Sequence, residues 1–168
     1  VLQPAFEQGL LDTPWYMTDG VKDAGLASLC GLGTALDGMK GTAPGAAAGE
    51  ALEAFSAAYS QVSEDGSGNF IFAPQAYDAV MLMAISAAAN GVTGPEIASG
   101  LVAASSGGEK CIGVACIALA ADGVDVDYVG ASGEIELNEA GDPTAATYDI
   151  WTTEGDVNPV LKSVDFGS

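Results

Sequence analysis

Carboxylates are the most abundant chemically active side chains of this sequence. It contains 23 aspartates and glutamates and only four basic residues, all lysines, with no histidine. Two carboxyl groups facing each other across a cleft are the catalytic pair of most glycoside hydrolases. No feature of the sequence brings two of them together, and without histidine the chain itself cannot build a Ser-His-Asp triad, a Cys-His pair or a histidine-based zinc site. We therefore do not expect an enzyme.

Three cysteines are the other reactive side chains. Cys111 and Cys116 are five residues apart, and within one continuous helix that spacing points them too far apart for a disulfide. A bridge requires Cys111 to precede the helix, with a break near Gly113; two reduced, buried thiols are the alternative. Cys30 is either a buried thiol or a cysteine whose partner is in a segment absent from the sequence. A C-x4-C spacing without further ligands is a weak metal signal, and we expect no metal and no cofactor.

The stretch Glu64–Asn69 superficially resembles a calcium-binding loop. In such a loop a glycine follows the third ligand position, whereas Phe70 stands here, and no bidentate glutamate closes the stretch. We predict an ordinary loop.

The acidic charge limits the partners. A formal net charge of −19 at pH 7 repels phosphate backbones and anionic lipid headgroups, so we expect no nucleic-acid or membrane-surface partner. Because 49% of the residues are hydrophobic, the chain is expected to fold into a packed domain. The acids are spread along the chain and predict a solvated surface. The acidity is either an adaptation to salty surroundings, where ions screen self-repulsion, or the chance acidity of a soluble secreted protein.

The sequence shows no targeting or membrane segment. No apolar run reaches about 18 uninterrupted residues, so no transmembrane helix is expected. The start, Val1 to Pro4, lacks the basic region of a signal peptide. We expect this N-terminus to be a product of processing or cloning.

Helices and strands alternate along the chain and must position these side chains. Pro74 opens the strongest helical pattern, predicted over residues 75–90 and ended by Gly91. This helix is apolar nearly all round, which predicts that it is largely buried. Its main stripe comprises Tyr77, Val80, Met81, Ala84, Ile85 and Ala88. Thr93 and Glu96 form a capping box before the next helix.

The remaining elements are predicted from the period of the apolar residues. Leu52, Phe55, Tyr59 and Val62 mark one helix face, and a further helix is predicted over residues 113–121. Period-two alternation then predicts strands at Val124, Val126 and Tyr128 and at Ile135 and Leu137. Tyr148, Ile150 and Trp151 are predicted to lie in a final strand. Nearer the start, residues 15–17 predict a short strand followed by a turn, and residues 41–44 are interpreted as a break between elements. This mixture predicts an α/β fold.

Several runs together resemble the branched-chain amino acid (Leu/Ile/Val)-binding proteins, a family of type I periplasmic solute-binding proteins. The runs are Trp15-Tyr16-Met17-Thr18-Asp19-Gly20, Leu36-Asp37-Gly38, Gly41-Thr42-Ala43-Pro44, Ala76-Tyr77-Asp78-Ala79-Val80 and Val126-Asp127-Tyr128-Val129-Gly130-Ala131-Ser132-Gly133, followed by Gly141-Asp142, Tyr148 and Trp151. Their order and spacing carry the resemblance, which spans nearly the whole chain. A cysteine pair before Tyr128 also resembles a subset of the family.

The resemblance implies a two-lobe fold of parallel sheets flanked by helices, with the ligand held between the lobes. The chain would be its C-terminal half, with the N-terminal portion missing. Residues 1–70 would belong to the C-terminal lobe, residues 71–125 would be helices returning to the N-terminal lobe, and residues 126–168 would form crossing strands and a C-terminal β segment. The helix at 75–90 would then have no sheet to pack on. It would be covered by the missing half or by self-association.

The resemblance also implies ligand-binding residues. Asp19 falls where the family often offers a carboxylate to the ligand's ammonium group, although an ordinary turn aspartate beside Gly20 is the alternative. Phe72 falls near the apolar wall for the ligand side chain, with core packing as the alternative. Trp15 and Tyr16 flank the cleft segment, where aromatic residues are more often core.

Three other acids have structural interpretations. Asp78 is interpreted as favouring the dipole at the start of its helix. Asp125 and Asp127 are interpreted as a solvent-facing pair. No ligand contact is assigned to any of them.

The implied function is that of the extracytoplasmic, periplasmic or extracellular, binding component of an ABC uptake system. It would bind an amino acid or a similar small polar solute and deliver it to a membrane permease. The alternative is an acidic extracellular structural or surface-assembly protein, which the Gly- and Ala-rich composition also suits.

Overall fold

The computed structural model describes residues 1–63 and 71–167, so the loop predicted at 64–69 lies outside the described residues. The helices are Leu2–Glu7 (α1), Leu26–Leu29 (α2), Glu50–Val62 (α3), Ala73–Asn90 (α4), Gly94–Ala104 (α5) and Ala115–Ala121 (α6). The strands are Tyr16–Met17 (β1), Lys40–Pro44 (β2), Glu109–Ile112 (β3), Val126–Gly130 (β4), Gly133–Glu134 (β5), Ala146–Thr152 (β6) and Val160–Phe166 (β7).

The chain forms two compact units. Unit 1 comprises Val1–Pro44 and Tyr148–Val164, and unit 2 comprises Gly45–Thr147 together with the residues from Asp165 onward. The chain therefore passes between the units after Pro44, after Thr147 and after Val164. The domain boundaries predicted at residues 70 and 125, and the lobe that each unit represents, stay predictions.

Unit 1 is built on a sheet with the strand order β1-β2-β6-β7. β1 pairs parallel with β2, and β2 pairs antiparallel with β6. The interpretation of residues 41–44 as a break is wrong, since they belong to β2. Gly41 allows this close pairing, because a Cβ atom there would collide with the ring of Trp151, which is fully buried. The core beside the sheet is formed by Ala27, Leu32, Leu36 and Met39.

The last strand, β7, was not predicted, because Lys162 interrupts the apolar face of Val160, Val164 and Phe166, and Leu161 lies on the opposite face. All of its residues from Val160 to Phe166 are exposed. A strand whose two faces both remain accessible lacks the apolar–polar alternation that identifies a half-buried strand.

Unit 2 contains the predicted helix pair. α4 begins with Pro74 in its first turn and ends at Asn90, with Gly91 (φ 119°) closing it, as predicted. The capping box of Thr93 and Glu96 is present at α5, where Glu96 accepts hydrogen bonds from the Thr93 hydroxyl and amide. Those two bonds lower the pKa of Glu96.

The expectation that α4 has no sheet to pack on is wrong. α4 packs on α5 and α6 and contacts β4, the centre of a three-stranded sheet in which β3 is parallel and β5 antiparallel to it. The core consists of Met81, Leu82, Ile85, Ala104, Cys116, Ala120, Val126 and Tyr128. The helix α4 is not buried on every side, however, since Val80 is 59% exposed. The strand predicted at Ile135 and Leu137 is confined to Gly133–Glu134, and Leu137 only forms an isolated bridge with Pro143.

Candidate functional site

Asp19 follows directly on a short parallel strand. After β1, Thr18 is extended and Asp19–Val21 form one 3-10 turn, in which the Lys22 amide donates to the Asp19 carbonyl oxygen at 3.0 Å. The side chain is partly buried, and its carboxylate has no hydrogen-bond or ion-pair partner among the described residues. In α/β sheets, ligands bind beyond the carboxyl ends of parallel strands. Asp19 therefore follows the carboxyl end of a parallel strand, and its carboxylate oxygens have no internal partner among the described residues.

A partly buried ion pair supports this turn. The ammonium group of Lys22 lies 3.9 Å from the Asp149 carboxylate on β6, with side-chain exposures of only 12% and 17%. The Ser163 hydroxyl on β7 donates to the same carboxylate at 2.7 Å. Reasoning from the sequence missed this pair, because Lys22 and Asp149 are far apart in the chain.

Trp15 and Tyr16 differ in their surroundings. Trp15 is partly buried against the core of unit 1, and its indole N–H donates to the Leu10 carbonyl oxygen at 3.0 Å. Tyr16 is 79% exposed. Both line an open groove of about 420 Å³ with neighbours from residues 11–14 and 35–40, and Asp19 does not line it. Trp15 and Tyr16 therefore share one groove, whereas Asp19 is not part of its lining.

Phe72 stands immediately before α4 with an unusual backbone. Its φ of 65° is the only positive value among the described non-glycine residues. Such a conformation costs free energy for an aromatic residue and is often found where function requires it. The ring is 43% exposed and lies outside the two core clusters. Phe72 belongs to unit 2 and Asp19 to unit 1.

Among the described aspartates, Asp78 has the most hydrogen-bond partners, and its carboxylate is buried. One oxygen accepts hydrogen bonds from the Tyr128 hydroxyl (2.8 Å) and the Ala131 amide (2.7 Å). The other accepts from the Ser132 amide (2.8 Å) and hydroxyl (2.6 Å). The interpretation of Asp78 as a helix-dipole residue misses this role: the carboxylate fastens α4 to the end of β4. The sequence did contain a signal for this role, because Asp78 stands next to the apolar stripe of a helix that was predicted to be buried.

Burial of Tyr128 raises its pKa, and the Asp78 carboxylate raises it further by its negative charge and by accepting a hydrogen bond from the phenol hydroxyl. Burial also raises the pKa of the adjacent Tyr77, again with a contribution from Asp78. Both phenols are thus held in their neutral form.

Cys111 and Cys116 form a disulfide. Cys111 lies in β3 and Cys116 in α6, with Gly113 (φ 57°) between the elements. The Cα atoms are 5.4 Å apart, within the usual range for a bridge. This arrangement confirms the predicted break before the helix. Cys30 is a free, half-buried thiol.

Within residues 1–63 and 71–167, no three potential metal-ligating side chains converge on a common point. In the same ranges, no helix has both the length and the apolar character that crossing a bilayer requires.

The comparisons with known proteins identify the class. A solved structure of a leucine-binding protein from Thermotoga maritima superimposes with a TM-score of 0.60 at 19% sequence identity, over 94% of this chain and 39% of that chain. This similarity shows that the chain has part of a type I periplasmic-binding fold, as predicted. The chain spans 39% of the length of that protein.

The family follows from the sequence itself. The profile of the receptor family ligand-binding region matches residues 3–156, and the chain belongs to this family. No curated protein matches the chain.

Proposed function

We propose that this chain is part of an extracytoplasmic solute-binding protein that binds an amino acid or a similar small polar solute for an ABC uptake system. Membership of the ligand-binding receptor family over residues 3–156 is the observation that carries the proposal. The fold similarity to a protein described as leucine-binding supports an amino acid as the ligand. The Leu/Ile/Val-type runs of the sequence support the same ligand class.

Asp19 is the proposed partner of the ligand's ammonium group. Its carboxylate is partly buried and accepts no hydrogen bond from any described residue, so its full acceptor capacity is available. A charge-assisted hydrogen bond from an ammonium group to a carboxylate is stronger than one between neutral groups, and it orients the ligand. The Lys22–Asp149 pair holds the turn that carries this carboxylate.

Phe72 is the proposed apolar wall for the ligand side chain, and its exposed ring supports this assignment. Binding between two lobes would remove water from the ammonium–carboxylate pair. The closed, liganded protein differs in shape from the open one, and a membrane permease can distinguish the two. Trp15 and Tyr16, which line a different groove, are secondary candidates.

A periplasmic or extracellular location is part of the proposal. The Cys111–Cys116 disulfide supports it, because disulfides persist in oxidising compartments and are rare in the cytosol.

The decisive experiment compares Asp19→Ala with Asp127→Ala in the two-lobe protein by calorimetric titration with an amino acid panel. Removing Asp19 leaves the ligand ammonium unpaired and should cost roughly 2–5 kcal/mol of affinity. Asp127 lies on β4 without a side-chain hydrogen bond among the described residues and should change affinity little. Equal, small losses would show that Asp19 is only a turn residue. A wild-type protein that binds no amino acid and forms large particles would instead indicate the structural alternative.

A further inference from the structure

The chain passes between the units at three places. Hydrogen bonds join the unit 2 ends of these three connections to one another. The Gly45 amide, just after the first passage, donates to the Thr147 carbonyl oxygen, just before the second, at 2.8 Å. The Thr147 hydroxyl donates to the carboxylate of Asp165, just after the third, at 2.9 Å. Each of these residues lies next to a boundary. The three connections therefore leave unit 2 from one hydrogen-bonded group.

The first turn of α4 holds the first connection directly. The side-chain N–H of Gln75 donates to the Gly45 carbonyl oxygen at 2.7 Å. Two residues further on, the Ala47 amide donates to the Ser132 carbonyl oxygen at 3.1 Å. Residues 45–47 are thus fixed at both ends.

Ser132 is fixed in turn by Asp78 on the same helix. The Asp78 carboxylate accepts from the Ser132 amide and hydroxyl and from the Ala131 amide. Gln75 and Asp78 are three residues apart, so they project from the same face of α4. One helix face therefore holds residues 45–47 by a direct and an indirect route.

The packing around residues 45–47 is close. A Cβ atom at Gly133, whose φ is 130°, would lie only 3.1 Å from the Cβ atom of Ala47. A larger residue at position 133 would push residues 45–47 away from Ser132.

We propose that Gln75 and Asp78 are positioning residues for solute binding, which anchor residues 45–47 to α4. The inference rests on the function proposed above. When two lobes close on a ligand, a few residues in the connections absorb the change in backbone angles. Because residues 45–47 are anchored to α4, the change in backbone angles at this connection is confined to residues on the unit 1 side of Pro44. The connection then has fewer alternative conformations in the unliganded protein. Less conformational entropy is lost on binding, which favours affinity.

Gln75→Met in the two-lobe protein tests the proposal, with Gln61→Met as the matched control. Gln61 is an exposed glutamine of α3 whose side chain, in the described part of the chain, donates to the Ala57 carbonyl oxygen of its own helix. Gln75→Met should fold, because it also removes the buried Gln75 Oε1, which has no hydrogen-bond partner within the described residues, and so eliminates a desolvation cost. Ser132→Ala is the second variant and removes only the hydroxyl bond to Asp78.

Amide hydrogen exchange and solute affinity are the two readouts. Gln75→Met should accelerate exchange at Gly45 and Ala47 by about 3- to 10-fold and weaken solute binding by a similar factor, the equivalent of one hydrogen bond. Ser132→Ala should accelerate exchange mainly at Ala47. The unfolding temperature of Gln75→Met should match that of Gln61→Met, which should alter neither readout.

Unchanged exchange in both variants would overturn the anchoring. Faster exchange with unchanged affinity would overturn the positioning role. If the wild-type protein binds no amino acid, the proposed function and the positioning role both fail. The exchange measurement, which needs no solute, then still decides whether α4 anchors residues 45–47.

Discussion

At the scale of single residues, the Asp78 carboxylate joins α4 to the end of β4 by accepting four hydrogen bonds from Tyr128, Ala131 and Ser132. The sequence predicted a structural role for this acid but not its partners, because Tyr128, Ala131 and Ser132 are about fifty residues away along the chain. Helical periodicity determines which face of a helix is buried, but it contains no information on what that face meets. Asp19 shows the opposite case: its turn after a strand was predicted from local sequence alone.

The Tyr128 hydroxyl should make stability fall at alkaline pH. Its pKa in the folded protein is raised above the ordinary value of 10.0 by burial and by Asp78. Above about pH 10, the unfolded chain releases the phenol proton while the folded chain keeps it, so stability falls as the pH rises. Below that pH the contribution is fully present.

Urea unfolding between pH 8 and pH 11 measures this effect in wild type and Tyr128→Phe. The variant should be less stable at pH 8, because the hydrogen bond to Asp78 is lost, and the difference should narrow above pH 10. Tyr148→Phe, at an exposed position of β6, is the control. A constant difference between wild type and Tyr128→Phe at every pH would contradict the expectation.

At the scale of elements, signals local in sequence were the reliable ones. The proline, the apolar stripe and the closing glycine identified α4, and the capping box identified the start of α5. β2 was missed because its Gly-Thr-Ala-Pro composition is typical of a turn. It is a strand because β1 and β6 pair with both of its edges and Trp151 occupies the space over Gly41. Such long-range pairing is not encoded in a short window of sequence.

The contact of α4 with α5 depends on a glycine. A Cβ atom at Gly100 would collide with the side chains of Asn90 and Ser86, and Ser86 also donates to the Ile97 carbonyl oxygen at 2.7 Å. Gly100→Ala should therefore destabilise the protein by about 1–3 kcal/mol, despite the better helix propensity of alanine.

Thermal and urea unfolding of Gly100→Ala and Gly20→Ala provide the comparison. A Cβ atom at Gly20 would meet open space, so that variant should stay within about 0.5 kcal/mol of wild type. A Gly100→Ala protein as stable as the control would show that α4 and α5 separate easily.

At the scale of the whole molecule, charge is the dominant feature. Four lysines stand against 23 acids, and two ion pairs, Lys22–Asp149 and Lys110–Glu134, are present in the described part of the chain. Most carboxylates therefore repel one another on the surface.

The overall architecture, in contrast, was predicted from the resemblance to a family and not from composition or periodicity. The order β1-β2-β6-β7 joins strands from both ends of the chain.

Salt should stabilise this molecule. Raising the NaCl concentration from about 0.05 M to about 1 M shortens the screening length to roughly 3 Å, which weakens the repulsion more than it weakens the two ion pairs. The unfolding temperature at pH 7 should rise by several degrees. Near pH 4, where many carboxylates are protonated, the increase should be much smaller. An equal increase at both pH values would point to a general salt effect instead.

The three passages between the units also determine the order in which the protein can fold as it is synthesised. Val1–Pro44 leaves the ribosome before unit 2 but cannot complete its sheet, because β6 and β7 are made only after the whole of Gly45–Thr147. Unit 2 is nearly continuous in sequence, so it can fold while synthesis goes on, whereas the first segment remains exposed until the last strands arrive. A nascent chain of this protein therefore presents a persistent, half-finished sheet, which is the kind of surface that chaperones bind.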